Sequence, residues 1–209
     1  MITLATIDVE LPVLRPVFDT ACADGMEREH ALQVTRLALA LFDLLQPLHK
    51  CDEGQRPLLH VAALLHDIGL LDGPDRHHKR SFRRILTAEL PFTEPEQLQI
   101  ALIARYHRGA DPQDTHPGFR DLRPAQRKTV TRLASLLRIA DALDRTHRRV
   151  VTAIDADVTR EKVLLRCETR VPAEQEHVVA LEKGKLLTEV FHRTLEITWQ
   201  IPEFAASQP

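Results

Sequence analysis

Histidine and aspartate stand in this 209-residue chain at places where the local pattern calls for apolar residues. His30 precedes Val34, Leu37 and Leu41 by 4, 7 and 11 positions, so it shares the inward stripe of a predicted helix. His66 follows Leu59 and Ala62 by 7 and 4, and His107 follows Ile100, Ile103 and Ala104 by 7, 4 and 3. Asp141 follows Ala134 and Leu137 by 7 and 4. Burying one unpaired carboxylate costs several kcal/mol, comparable with the whole stability margin of a small domain. Such residues on separate helices, all aimed inward, are tolerated when they meet one another or a cation. Imidazole and carboxylate together suit a divalent transition metal such as Mn, Fe, Co, Ni or Zn, and suit Ca poorly. In the pair His66-Asp67, neighbours in mid-helix would point about 100° apart. At a helix end both converge on one ion, and Gly69 supplies that end, where Asp67 could bridge two ions.

The elements that must position these residues follow from periodicity and stop signals. Residues 27–46 read as an amphipathic helix closed by Pro47, and 55–66 as a buried helix ended by Gly69. Ser81 is expected to cap a helix running to about residue 90, and Thr93 another running to His107, with Pro95 near its start. A loop over 109–123 holds Pro112, Pro117 and Gly118, and 124–148 reads as the last long helix. Beyond residue 150 the character changes. Residues 150–154, 163–167 and 195–201 are short β-rich runs, and 178–191 looks helical. The expectation is a mainly α fold: a helical domain over 1–150 and a small α+β extension over 151–209 packed on its end.

Composition bounds the alternatives. Hydrophobic content of 44% with 28% charged residues is ordinary for a globular protein, and no apolar run approaches the roughly 20 residues of a membrane span. No basic region or small-residue cleavage site marks residues 1–9 as a secretory signal. Three scattered cysteines (Cys22, Cys51, Cys167) offer no disulfide framework, so a reducing cytoplasm is expected. The net charge of −2 conceals an asymmetry: residues 1–75 carry 5 Lys/Arg against 12 Asp/Glu, and residues 76–149 carry 16 against 8. A basic middle third suits an anionic ligand. One Trp and one Tyr leave few stacking platforms, which disfavours nucleic acid.

His30, His66-Asp67 and Asp141 resemble the H…HD…D pattern of the HD superfamily of metal-dependent phosphohydrolases. The likeness is greatest to the helical C-terminal domain of the exopolyphosphatase/guanosine-pentaphosphate phosphohydrolase family. It is carried by residues 62–69 (AALLHDIG), 77–79 (HHK), 104–108 (ARYHR) and 137–145 (LRIADALDR), and by 181–197 with Phe191. That family's known catalytic machinery belongs to actin-like domains that this chain does not contain, so its exopolyphosphatase mechanism is not carried over. Leu70 stands where HD-type cyclic-dinucleotide phosphodiesterases usually have Lys, which lowers that substrate class. By resemblance to two-metal members, His78 opening one helix and His107 closing the next would add a second metal, with His77 as the alternative to His78.

The resemblance therefore implies a metal-dependent phosphohydrolase acting on a nucleotide, a phosphomonoester or a short polyphosphate. One or two divalent ions would lower the pKa of bound water, and the resulting hydroxide would attack phosphorus. The expected metal ligands are His30, His66, Asp67, His78, His107 and Asp141. Asp67, Lys79, Arg108 and Arg145 are expected in catalysis, the cations by neutralising phosphoryl oxygens. On one helical face with Asp141, Arg145 either contacts phosphate or pairs with Asp144. His49, His60, His116, His177 and His192 are expected to be surface or locally bonded groups. A slow or non-catalytic domain that binds polyphosphate or a nucleotide to regulate a partner is the alternative, and a homodimer is compatible with either.

Overall fold

Val34, Leu37, Ala38 and Leu41 have no exposed surface, and their helix packs between two other core helices. In a computed structural model that describes residues 1–202, this helix is α2 (Arg28–Leu44), preceded by α1 (Arg15–Ala23) and followed by the short α3 (Gln46–His49). The remaining core helices are α4 (Arg56–Leu64), α5 (His77–Thr87), α6 (Glu94–Arg105) and α7 (Pro124–Ala142). α2 packs on α4 and α7, α6 on α4 and α7, and α5 against α6. At the start of α6, Thr93 N–H donates to Glu96 Oε2 (2.9 Å) and Pro95 lies in the first turn, satisfying the capping pattern in the sequence. No helix among the described residues is long and apolar enough to cross a membrane.

After residue 150 the chain forms β2 (Val151–Val158), β3 (Lys162–Thr169), α8 (Glu174–Lys183), α9 (Lys185–Phe191) and β4 (Thr194–Gln200). Residues 203–209, the tail of the predicted extension, lie outside the described residues. Together with β1 (Ile2–Thr3) these strands form a sheet in the order β1-β2-β3-β4, with β1 and β3 antiparallel to β2 and β4 parallel to β3. The parallel pair is possible because α8 and α9 provide the crossover. Both helices pack on α7 as well as on β4, which seats the extension against the helical core. The fold is the expected mainly α core with a small α+β extension.

Several boundaries differ from the sequence expectation, and each has a local cause. α5 begins at His77, not at Ser81. Ser81 is not a cap: its hydroxyl donates to the His66 carbonyl (2.6 Å) and accepts the Gly69 N–H (3.0 Å). Gly69 allows this contact, since a Cβ there would lie 2.2 Å from the His77 carbonyl oxygen. The helix expected over 124–148 stops at Ala142, and the chain turns until His147 and Arg149 adopt positive φ. The helix expected over 178–191 starts earlier and divides at Gly184 into α8 and α9.

Candidate metal centre

Helix ends, rather than helix middles, present most of the candidate ligands. His66 lies two residues beyond α4, and its Nδ1–H donates to the Ala63 carbonyl three residues back (2.8 Å). His107 repeats the arrangement beyond α6, with Nδ1–H on the Ala104 carbonyl (2.7 Å). Both rings are thereby anchored on carbonyls in the last turn of the terminating helix. His77, in the first turn of α5, donates from Nδ1 to the Pro74 carbonyl (3.2 Å). His30, in the first turn of α2, donates from Nδ1 to Asp144 Oδ2 (2.9 Å). Because carbonyls and carboxylates only accept, all four neutral rings carry their proton on Nδ1 and present an Nε2 lone pair to the centre.

These lone pairs and two carboxylates fall into two groups. His30 Nε2 lies 3.5 Å and His66 Nε2 3.8 Å from Asp141 Oδ1. His77 Nε2 lies 3.1 Å and His107 Nε2 3.6 Å from Asp67 Oδ1, and the two nitrogens face each other at 3.3 Å. Within each group one ligand atom per residue lies within 4.8 Å of the others. Asp67 joins the groups, since its Oδ2 is 3.4 Å from His66 Nε2 and 3.9 Å from His30 Nε2. His30 Nε2, His66 Nε2 and Asp67 Oδ1 are buried without a hydrogen-bond partner among the described residues. A buried acceptor left bare is costly, and unprotonated acceptors facing one another at these distances repel. A divalent cation between them removes both penalties. The donor set of imidazole nitrogens and carboxylate oxygens fits a transition ion.

The electrostatics express the same demand for positive charge. Burial opposes the imidazolium of His30, yet Asp141 and Asp144 outweigh it and push its pKa up to about 9. Burial drives His107 down to about 3, aided by the neighbouring His66, and lowers His66 as well. Asp67 and Asp141 are held well below the usual carboxylate range despite burial, which alone would raise them. For Asp67 the imidazoles of His66, His77 and His107 prevail, and for Asp141 chiefly His30 and Lys183.

A cleft of about 540 Å³ opens onto this centre, lined by Asp67, His77, His107 and Asp141 together with Arg108, Arg138, Arg145 and Lys183. Arg138 fixes the strand of chain beside it, donating to the carbonyls of Tyr106, Gly109 and Ala110. Two sequence expectations are corrected here. His78, the next residue along α5 from His77, turns away from the second group toward Gly109, and burial with Arg108 lowers its pKa to about 4. Helical geometry separates neighbours by about 100°, so only one of the pair can face Asp67. Lys79 also lies outside the cleft, in an adjacent cavity with His78 and Arg105. Arg108 and Arg145 do line the cleft.

Three contributors were not expected to touch the presumed ligands. Asp144 is fully buried; besides His30 it accepts the Arg149 N–H on Oδ1 (2.7 Å), and so does not pair with Arg145. His147 stacks on His30 with ring centroids 3.7 Å apart. Lys183, the last residue of α8, donates to Asp141 Oδ2. Asp144 and His147 could have been suspected from their closeness to Asp141 in sequence; Lys183 carries no local signal. Of the histidines expected to be surface or locally bonded, His49 bonds the Phe42 carbonyl and His116 the Tyr106 hydroxyl nearby in sequence, His60 and His177 instead bond the distant Val9 and Trp199, and His192 is exposed.

Compared with known families, residues 21–190 match the family described as Ppx/GppA phosphatase, domain III.

Proposed function

The chain belongs to the Ppx/GppA phosphatase domain III family, and from that premise we propose that it is a metal-dependent phosphohydrolase of HD type. Its substrate would be a phosphate ester or anhydride: a nucleotide, a phosphomonoester or a short polyphosphate. The observation that carries this reading is the set of buried, partnerless acceptors His30 Nε2, His66 Nε2 and Asp67 Oδ1 at the end of a basic cleft. His30, His66 and Asp141 would hold one divalent ion and His77 and His107 a second, with Asp67 serving both. Such ions supply Lewis acidity and a water of lowered pKa.

The chain's own groups do the rest. Asp144 and the carbonyls of Ala63, Pro74 and Ala104 keep the four imidazoles in the Nε2-presenting form. Arg108, Arg145 and Lys183 line the cleft where phosphoryl oxygens would enter, and neutralise the charge that spreads over them in the transition state. Lys79, in the adjacent cavity, has no part in that step. One observation favours the second reading, a slow domain that binds polyphosphate or nucleotide and regulates a partner. Lys183 already places a protein cation on Asp141 Oδ2, beside the ligand cluster.

Elemental analysis of the purified protein, followed by phosphate-release assays with Mn, Co, Ni and Zn over nucleotides, phosphomonoesters and polyphosphates, tests both. Metal together with release supports the hydrolase. Metal with saturable binding but no release supports the regulatory reading. A protein that takes up no metal when reloaded overturns both.

A further inference from the structure

Away from the metal centre, a cavity of about 130 Å³ lies between the N-terminal segment and the core helices α2 and α4. None of its lining residues belongs to the candidate metal ligands. We propose that this cavity is a binding site for a short-chain monocarboxylate. Its carboxylate would pair with Arg36, and its apolar body would lie against Leu11, Phe18, Leu32 and Leu64.

The cavity is built from regular spacings on two helices. Arg28, Leu32 and Arg36 stand four residues apart along α2, so they form one ridge that lines it. Phe18 and Asp19 of α1 follow Arg15 by 3 and 4 and supply a second surface. Leu64, the last residue of α4, adds a third. The extended chain around Val9 completes the lining, and the Val9 carbonyl accepts the Nε2–H of His60 on α4 (3.1 Å). With Val9 and Phe18 both buried, this segment is anchored on the core rather than draped over it. Six of the ten lining residues precede residue 21, where the family match begins. The cavity therefore owes most of its wall to chain that the shared domain does not include.

Its charges leave one cation over. Three arginines and two carboxylates line it. Arg15 pairs with Glu10 (2.7 Å) and Arg28 with Asp19, both on the exposed surface. Arg36 forms no ion pair among the described residues, and its Nε is buried without a hydrogen-bond partner among them. A buried donor left bare is costly, so the guanidinium calls for an acceptor. Its planar fork of N–H groups matches the two oxygens of one carboxylate. One unpaired arginine balances one negative charge, which suits a monocarboxylate and leaves a phosphate dianion undercompensated. An apolar cavity of about 150 Å³ accommodates benzene. The volume here therefore suits a ligand of similar bulk, such as 3-methylbutanoate.

The test is calorimetric titration of the full chain with 3-methylbutanoate, metal-loaded and again after chelation and dialysis. Saturable binding with Kd below about 10 mM is expected in both states, because the site shares no residue with the metal centre. Acetate keeps the charge without the apolar body, and 3-methylbutanamide keeps the body without the charge. Each should bind at least about tenfold more weakly than the acid. Arg36→Gln should weaken the acid at least about tenfold. Leu32→Trp, which fills the cavity and keeps Arg36, should abolish its binding. Both variants should melt close to wild type, since Arg36 has no ion pair to lose and Leu32 is only partly buried. Absence of saturation in wild type overturns the proposal, as does unchanged affinity in either variant. Binding confined to metal-loaded protein would place the acid on the metal and overturn it too. Inorganic phosphate is the control: if Arg36→Gln weakened phosphate as much as the acid, the carboxylate assignment would fall.

Discussion

Lys183 of the C-terminal extension closes an ion pair on Asp141 of the helical core, and the two carboxylate oxygens of Asp141 face different ways. Oδ2 is held by Lys183, while Oδ1 points to His30 and His66 at 3.5 and 3.8 Å. The extension therefore reaches a candidate ligand directly through the Lys183 side chain, which fixes its rotamer, while Val179 and Glu182 of the same helix also line the cleft. The positive charge of Lys183 also partly offsets the acidic cluster when no metal is bound.

Lys183→Ala is expected to destabilise metal-free protein by about 2 kcal/mol, between the values of exposed and fully buried pairs. Metal-loaded protein should lose less, because the ion then compensates Asp141. The gap in melting temperature between chelated and loaded protein should widen in the variant. An unchanged or narrower gap would show that Lys183 does not share this charge-balancing role.

His77 and His78 separate cleanly by metal content. His77→Ala should reduce binding from about two ions per chain to about one, and His78→Ala should leave the content unaltered. Asp67→Ala, which removes oxygen from both groups, should lose most of both ions. Elemental analysis after reloading decides; loss of metal in His78→Ala with retention in His77→Ala would reverse the assignment.

His49 gives a stability effect remote from the metal centre. Its Nε2–H donates to the Phe42 carbonyl (2.7 Å) and its Nδ1 accepts the Cys51 N–H (2.9 Å), so a second proton would set N–H against N–H. Burial, joined by Arg132, lowers its pKa in the folded chain. The unfolded chain protonates first, near pH 6.5, so this contribution is complete above that pH and is lost as pH falls toward the folded value. Denaturant titrations at pH 5.5–7.5 should show a slope in stability that is shallower in His49→Leu by up to about 1.4 kcal/mol per pH unit. Equal slopes would exclude the effect.

Gly69→Ala should be among the most damaging single changes. A methyl group there meets the His77 carbonyl oxygen and the Ser81 N–H nitrogen at 2.2 and 2.4 Å, backbone atoms that cannot swing aside. A cost of about 3–5 kcal/mol is expected, with loss of the ion held by His77 and His107. Retention of both ions and a melting temperature within a few degrees of wild type would show that α5 can shift freely.

The inward faces of α2, α6 and α7 were legible because 3.6-residue periodicity assigns a face wherever apolar neighbours mark the stripe. That reasoning brought His30, His107 and Asp141 to the centre. His78 came instead from the resemblance, with His77 as its alternative, and the helix start at His77 lay ahead of the cap expected at Ser81. Arg76, at φ 48°, turns the chain into the helix just before His77, with no capping side chain to announce it. Asp144 and His147 were read on a continuing helix, but the chain leaves α7 at Ala142 and folds both back toward His30. Lys183 depends on how α8 seats on α7, a tertiary relationship that no local pattern encodes.

The sheet also bears on the order in which the molecule can be assembled. Ile2 pairs with Ile154, and Lys162 with Thr194, so β1 waits for a strand about 150 residues downstream. The helices that carry the candidate ligands are complete by Ala142. Closing so long a loop carries an entropic cost that the local helical contacts do not. During synthesis the imidazoles can thus converge before the first residues are anchored and before Lys183 arrives at Asp141. Pulse-labelled hydrogen exchange on refolding protein should find α2, α4 and α7 protected ahead of β1 and β4. Simultaneous protection would mean that the sheet and the helical core form as one unit.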